Sequence, residues 1–281
     1  MKQISQNIFI DQAARGVTVG AIRTPKGIIC VDTPTSATDA RKWRIQVSQI
    51  DPTLRCLVYT DAHFDRTLGA QWLDTLVIAQ EAASQRMAEY PDVFRPHHGL
   101  PGGNYEMVND LAGVQIVRPQ ISFRSSMTLH ADQQEIYLYS VPGPSHGQLW
   151  VDIPAERVLF VGDTLIQTEH PWLAEANLTA WLEALKSLSE RDGYILIPGR
   201  GQPVSNQDLH STIHYLETLG NLLANLSHVP GEDSIRKLVE QLLERFSDYS
   251  GRRELMRRRL YSSLSLLINA DGKSASQQNS I

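Results

Sequence analysis

The chain has 281 residues, which suits one large domain or one domain with a smaller extension. Hydrophobic residues make up 42% of it and charged residues 20%, as in ordinary soluble globular proteins. The formal net charge of -5 argues against a general nucleic-acid-binding protein. The first residues lack the apolar core of a signal peptide, and no segment approaches the roughly 20 apolar residues that span a membrane. We therefore expect a cytoplasmic protein without a membrane span.

The first third of the chain predicts short strands separated by helices. The turn residues Thr24-Pro25-Lys26-Gly27 predict a hairpin between strands over 17–23 and 27–32. Hydrophobic spacing then predicts, in order, a helix over 36–49, strands over 55–59 and 76–79, and a helix over 81–89.

The remainder continues the same alternation and ends in helices. Strands are predicted over 122–123, 127–129, 136–141, 148–153 and 157–161, then a helix over 178–189 and a strand over 194–197. From residue 206 onward the pattern is helical. Strands in both halves with helices between them indicate a layered α/β protein.

Four predicted buried strands share one feature, which is that polar or ionisable residues follow each of them directly. The four segments are Thr60 to Arg66, Pro142 to Gly147, Gly162-Asp163-Thr164 and Pro198-Gly199-Arg200-Gly201. Loops on a rigid sheet are where chemistry is usually placed. Each segment taken singly carries little weight, because a lone His at a strand end is usually a hydrogen-bonded structural residue. Their order along the chain carries the argument.

This order resembles the metallo-β-lactamase superfamily, which includes glyoxalase II-like hydrolases. That family has a His-x-His-x-Asp-His segment after a strand, then an isolated His, a Gly-Asp and a Pro-Gly-His. The matching segments here are Asp61-Ala62-His63-Phe64-Asp65-Arg66, His146, Gly162-Asp163 and Pro198-Gly199-Arg200. Val31-Asp32-Thr33 also matches an early family segment whose Asp is structural. The resemblance covers about residues 7 to 225 and implies a four-layer αββα sandwich.

The domain organisation follows from this resemblance and from the helical pattern. We expect a metallo-β-lactamase-like αββα domain over 1–225 and a helical extension over 226–270 that packs on it or on a partner. Residues 271–281 are polar and predict a disordered tail. The extension carries a basic cluster at Arg252, Arg253, Arg257, Arg258 and Arg259. A solvated helix face explains the cluster most simply, and an acidic partner, an anionic membrane surface or a homo-oligomer formed through these helices are the alternatives.

The resemblance also implies where metal ions would bind. The positions of the first ion hold Asp61, His63, His146 and Asp163, and those of the second hold Asp65, Arg66, Asp163 and Arg200. Arginine has five donors, no acceptor and a permanent charge, so it cannot ligate a cation. At about 4 Å a guanidinium and a dication repel by about 8 kcal/mol at an effective dielectric constant near 20. We therefore expect one ion at most.

The sequence leaves open whether one ion binds or none. Asp61 replaces an imidazole with a carboxylate, which is still a competent ligand for zinc, the first expectation, and for iron or manganese. Three aspartates and two arginines give the empty site a single net negative charge, which one dication would make singly positive. The same balance lets Arg66 and Arg200 pair with the aspartates and replace the metals as a salt-bridge cluster.

Two functions therefore compete. The first is a mononuclear hydrolase of small, anionic esters or thioesters, in which Asp65 orients the water or acts as the general base. In it, Arg66 and Arg200 stabilise the anionic substrate or a developing oxyanion, and His170 contacts the substrate. The second is a metal-free, non-catalytic family member that serves binding or assembly. A redox role with iron is disfavoured, because the second metal site is missing and no flavin-binding segment is present.

Overall fold

A computed structural model describes residues 1–12, 17–95, 111, 113–132, 134–167, 169–205, 209–226, 230–246 and 253–278, with side chains as far as residue 270. Within these residues, the first sheet has seven strands in chain order: β1 (Lys2–Gln3), β2 (Ile8–Asp11), β3 (Val19–Thr24), β4 (Gly27–Val31), β5 (Leu54–Val58), β6 (Val77–Gln80) and β7 (Ile121–Phe123). The pairs from β1 to β4 are antiparallel, and those from β4 to β7 are parallel. The residues that follow β4 and β5 therefore emerge at one edge of the sheet.

The second sheet has five strands among the described residues. They are β8 (Ser126–Ala131), β9 (Gln134–Ser140), β10 (Leu149–Ile153), β11 (Val158–Gly162) and β12 (Ile195–Pro198), arranged in the order β12-β11-β10-β9-β8. Only the β11–β12 pair is parallel among these neighbours, so the residues after β11 and after β12 also emerge together.

The helices described are α1 (Ala37–Ile50), α2 (Phe64–Thr67), α3 (Glu81–Ala88), α4 (Leu178–Ser189), α5 (Leu209–Ala224), α6 (Glu232–Arg245) and α7 (Arg253–Gln278). Side-chain caps fix where two of them start. Ser36 accepts a hydrogen bond from the backbone N–H of Asp39 at the start of α1, and Asn177 does the same for Ala180 at the start of α4.

Three apolar clusters hold these elements in four layers. The cluster between the sheets includes Ile10, Val58, Leu138 and Phe160. The helices α1 and α3 cover the outer face of the first sheet, and α4 to α7 cover that of the second. Each fully buried large apolar side chain contributes about 1.5–3 kcal/mol by leaving water. In β5, Leu57 faces the outer cluster, while Cys56 and Val58 face the cluster between the sheets, which explains why these three consecutive residues are all apolar.

The predicted elements correspond to observed ones, including the hairpin, in which Thr24 pairs with Gly27. Gly27 has a φ of +111°, a conformation that favours glycine. Three short elements were not predicted from the sequence: β1, β2 and the four-residue helix α2.

The C-terminal helices pack on the same cluster as α4 and β11. Within the basic cluster, Arg257 pairs with Glu240 at 2.5 Å, and Nη1 of Arg259 lies 2.9 Å from Glu169. Arg252 lies outside the described residues. The helix α7 extends past residue 271, where the sequence predicts a disordered tail, to Gln278. The proposed division into domain, extension and tail stays a prediction.

Candidate functional site

The segment that follows β5 is fixed by hydrogen bonds to the segment that follows β4. Thr33 donates to the carbonyl of Arg66 through both its backbone N–H and its hydroxyl, each at 2.9 Å. The hydroxyl of Thr35 donates to the carbonyl of Asp65 at 2.5 Å. These bonds hold the short helix α2, which carries Asp65 and Arg66, against the end of the first sheet.

The side chain of Arg66 lies at the centre of a buried charge cluster, which comprises Arg66, Asp32, Asp61, Asp65, Asp163 and Arg200. Its guanidinium is fully buried and contacts four carboxylates. Nη2 lies 2.6 Å from Asp163, Nε lies 3.1 Å from Asp61 and 3.9 Å from Asp65, and Nη1 lies 3.3 Å from Asp32. Nη1 also donates to the hydroxyl of Thr60 at 3.0 Å. The forked guanidinium therefore bridges the ends of β4, β5 and β11.

Arg200, after β12, extends the charge cluster on its other side. It forms an ion pair with Asp65, and its Nε lies 3.8 Å from Asp163. The preceding Gly199 permits this approach, because a Cβ there would lie 2.5 Å from the carboxylate of Asp163 and 2.8 Å from Arg66. Residues from three of the four predicted strand ends, together with Asp32 after β4, thus meet at one place.

The charges in the cluster stabilise one another. Burial opposes ionisation of Asp163, but Arg66 and Arg200 outweigh it and hold its pKa well below the usual range. Asp32 differs, because burial dominates and raises its pKa to about 7 despite the pull of Arg66 and of hydrogen bonds from Thr60. The carboxylates also outweigh the cost of burying Arg66 and raise its pKa further.

Asp61, a member of the charge cluster, also forms a close pair with His63. Nδ1 of His63 lies 2.8 Å from Oδ2 of Asp61, and Nε2 of His63 has no hydrogen-bond partner. Burial alone would lower the pKa of His63, but the carboxylate of Asp61 outweighs it and raises this pKa to about 9. The pKa of Asp61 is lowered, because Arg66 and His63 outweigh the effect of its burial.

Asp61, His63 and Asp163 come together as the resemblance implied for a first metal ion. Each offers one ligating atom, and these atoms lie within 4.8 Å of one another. His146, the fourth expected ligand, is not in this group. Its side chain is exposed, whereas the side chain of its neighbour Ser145 is buried.

A pocket of about 370 Å³ adjoins His63. Its walls include His63, Tyr90, Ser145, His146 and Glu175, together with Arg86 and the first turn of α3. Arg86 pairs with Glu89 at 3.0 Å and with Glu175 at 3.7 Å. The sequence did not single out Ser145, Arg86 or Glu175 as site residues. The signal for Ser145 was its place beside His146 in a Pro- and Gly-containing loop.

His170 lies in another part of the site, near Asp163 and Arg200. It is buried, its Nδ1 lies 3.0 Å from the hydroxyl of Tyr215, and it borders a small space together with Asp163 and Arg200. Burial, with a smaller effect of Arg259, lowers its pKa to about 4. Its predicted contact with a substrate stays a prediction.

Two facing mixed sheets, with helices on both outer faces and polar groups gathered at the strand ends, define the αββα class of proteins. The model of the metallo-beta-lactamase superfamily matches residues 13–200. The chain belongs to this superfamily, so the predicted family and fold are confirmed.

Solved structures agree on the fold. A metallo-beta-lactamase family protein from Thermus thermophilus is similar with a TM-score of 0.68 and 17% identity, over 97% of this chain and 96% of that one. A metallo-beta-lactamase from Pontibacter korlensis is similar with a TM-score of 0.62 and 18% identity, over 77% of this chain and 97% of that one. DIM-1 metallo-beta-lactamase is similar with a TM-score of 0.59 and 20% identity, over 77% of this chain and 96% of that one. No curated protein matches the chain. At these identities the likeness shows the fold alone.

No helix among the described residues combines the length and the apolar character that a membrane span requires.

Proposed function

We propose that this chain is a metal-independent member of the superfamily that binds a small polar molecule in the pocket beside the charge cluster. One observation carries the proposal: the guanidinium of Arg66 contacts the carboxylates of both Asp61 and Asp163, which would otherwise ligate the first metal ion. The superfamily typically uses divalent metals, and here a permanent cation already neutralises the carboxylates that would hold one.

The residues present do not fit a metal ion in this arrangement. Oδ1 of Asp61 accepts from the backbone N–H of His63 at 2.8 Å and faces Nε of Arg66, while its Oδ2 faces the ring of His63. An ion bound to the same oxygens would lie roughly 4 Å from the guanidinium, where repulsion is about 8 kcal/mol at an effective dielectric constant near 20. Arg66 is fully buried, so it has no nearby solvent into which to withdraw.

The pocket supports a binding role for a small molecule. Its volume of about 370 Å³ lies at the small end of the range of ligand sites, and a few polar groups converge on it. His63 joins the pocket to the charge cluster, because its Nδ1 faces Asp61 while its ring also borders the pocket.

A mononuclear hydrolase, with zinc, iron or manganese at Asp61, His63 and Asp163, is the second candidate. The grouping of their ligating atoms within 4.8 Å favours it. It requires Arg66 to give up its contacts with two of these three residues.

Elemental analysis of the native chain, purified without chelators from medium containing zinc, iron and manganese, tests the proposal. We expect far less than one equivalent of any of these metals. The variant Arg66→His removes the permanent cation and should gain zinc, whereas Arg55→His, at an exposed strand position, should not. One bound equivalent in the native chain, lost in both His63→Ala and Asp163→Ala, would establish the mononuclear site instead.

A further inference from the structure

The pocket beside the charge cluster holds two buried polar atoms without a hydrogen-bond partner. They are Nε2 of His63 and Oγ of Ser145. The two residues are 3% and 4% exposed, and both line the same pocket. A buried polar group left unpaired costs about 1–3 kcal/mol. Two such groups in one pocket therefore point to a ligand that pairs with them.

His63 is oriented as a base would be. A carboxylate only accepts hydrogen bonds, so the 2.8 Å contact with Asp61 places a proton on Nδ1 of His63. In the neutral ring, Nε2 is then the acceptor. Asp61 is itself held in place by the backbone N–H of His63 and by Nε of Arg66. A nucleophile, a base and a third group that orients the base form the general pattern of covalent catalysis.

We propose that Ser145, His63 and Asp61 form a metal-independent nucleophile, base and orienting group that hydrolyse small esters or thioesters. This inference rests on the proposed function, in which no metal occupies Asp61 and His63. Oγ of Ser145 and Nε2 of His63 are not hydrogen-bonded to each other in the ligand-free chain. Catalytic hydrogen bonds are often long in that state and tighten when substrate binds.

The reaction needs only water as a second reactant. Oγ of Ser145 adds to the carbonyl carbon while its proton passes to Nε2 of His63. The bond to the leaving group then breaks, and the departing alcohol or thiol takes that proton, which leaves an acyl group on Ser145. Water adds to this acyl group and gives a proton to Nε2. The bond to Oγ then breaks, Ser145 regains the proton, and the carboxylic acid leaves.

The pocket walls favour a small acyl group. Gly147 brings the loop that carries Ser145 against the start of α3, because a Cβ at Gly147 would lie 2.5 Å from the backbone nitrogen of Ala83. Arg86 and Glu175 supply charge at the rim, 3.7 Å apart. A short acyl chain with a polar end suits a space of about 370 Å³ better than a long lipid does.

A fluorophosphonate probe tests the proposal on the full chain, with intact-mass and peptide mass spectrometry to locate the adduct. We expect one adduct, on Ser145, formed equally with and without a metal chelator. Ser145→Ala should abolish the labelling, and Asp61→Asn should slow it by about 10²–10⁴-fold. Ser187→Ala is the matched control, because Ser187 bonds its own helix α4 outside the pocket.

Hydrolysis of p-nitrophenyl acetate gives a second readout. Its rate should fall by about 10²–10⁴-fold in Ser145→Ala, with thermal melts showing that each variant folds. If Ser145→Ala does not fold, Ser145→Cys replaces it and should react with iodoacetamide at a rate that falls when His63→Gln is added.

The outcomes separate this inference from the function on which it rests. Failure to label Ser145 in a native chain that holds no metal overturns the inference alone. Labelling that persists in Ser145→Ala also overturns it. A native chain that holds one equivalent of metal, and loses esterase activity with a chelator, overturns the proposed function as well.

Discussion

Replacing the buried arginine at the centre of the charge cluster should destabilise the chain severely. Arg66→Met keeps the length of the side chain but removes the cation that Asp163, Asp61 and Asp32 share at 2.6, 3.1 and 3.3 Å. Removing one partner of a buried ion pair typically costs about 3–5 kcal/mol, because the remaining charge stays buried without compensation. For a chain of this size each kcal/mol lowers the Tm by roughly 2–4 °C, so we expect a decrease of roughly 6–20 °C.

Thermal and urea unfolding at several pH values measure this effect. Asp61 and Asp163 have folded pKa values below their usual range, so their ion pairs stabilise the chain above about pH 4, and this contribution is lost as the pH falls further. The deficit of Arg66→Met should therefore be largest near pH 7 and should narrow toward pH 4, where the unpaired carboxylates take up protons.

Two variants act as controls for Arg66→Met. Arg66→Lys keeps the charge but lacks the fork that reaches several carboxylates, so it should lose an intermediate amount of stability. Arg55→Met, at an exposed position, should change the free energy of unfolding by less than about 0.5 kcal/mol. A loss below about 1 kcal/mol for Arg66→Met, or a loss equal to that of Arg55→Met, would refute the structural role of the cluster.

Three further predictions follow from the structure. His170 stays neutral in the folded chain, because its pKa is lowered from 6.5 to about 4. The free energy of unfolding should therefore fall by up to about 3 kcal/mol as the pH falls from 6.5 to about 4. Urea titrations at several pH values should show that His170→Gln removes this dependence. Gly147→Ala should lower the free energy of unfolding by about 1–3 kcal/mol and slow the labelling of Ser145, because the new Cβ would collide with the backbone of Ala83. Gly220→Ala lies inside α5, where the new Cβ meets no neighbouring element within 4 Å, so it should raise the Tm in thermal melts. The labelling rate of Ser145 should rise with pH toward about 9, because only the neutral form of His63 is the base. Burial and Arg66 lower the pKa of His63, but Asp61 and Glu175 outweigh them and raise it to about 9. A labelling rate that does not change with pH would exclude that role.

The sequence determined the layers of the fold and which residues stand at the strand ends. Apolar runs of strand length and apolar stripes at helical spacing predict which residues are buried, because the buried face of a strand repeats about every two residues and that of a helix about every 3.6 residues. The prediction that no second metal ion binds rests on the resemblance, which places Arg66 and Arg200 at ligand positions, since arginine cannot ligate a cation. The placing of Asp61, His63 and Asp163 in one group agrees with the resemblance.

Only the tertiary structure decided what these residues do to one another. Sequence spacing shows that Arg66 follows β5, but its contacts with Asp32 and Asp163 depend on how β4 and β11 meet across the sandwich. The sequence pointed to His146, yet His146 is exposed whereas its neighbour Ser145 is buried. Neighbouring residues of a loop can point to solvent or into a pocket, and a loop has no repeating hydrophobic pattern from which their direction could be predicted. Packing between distant segments therefore decides whether the carboxylates face a metal or an arginine.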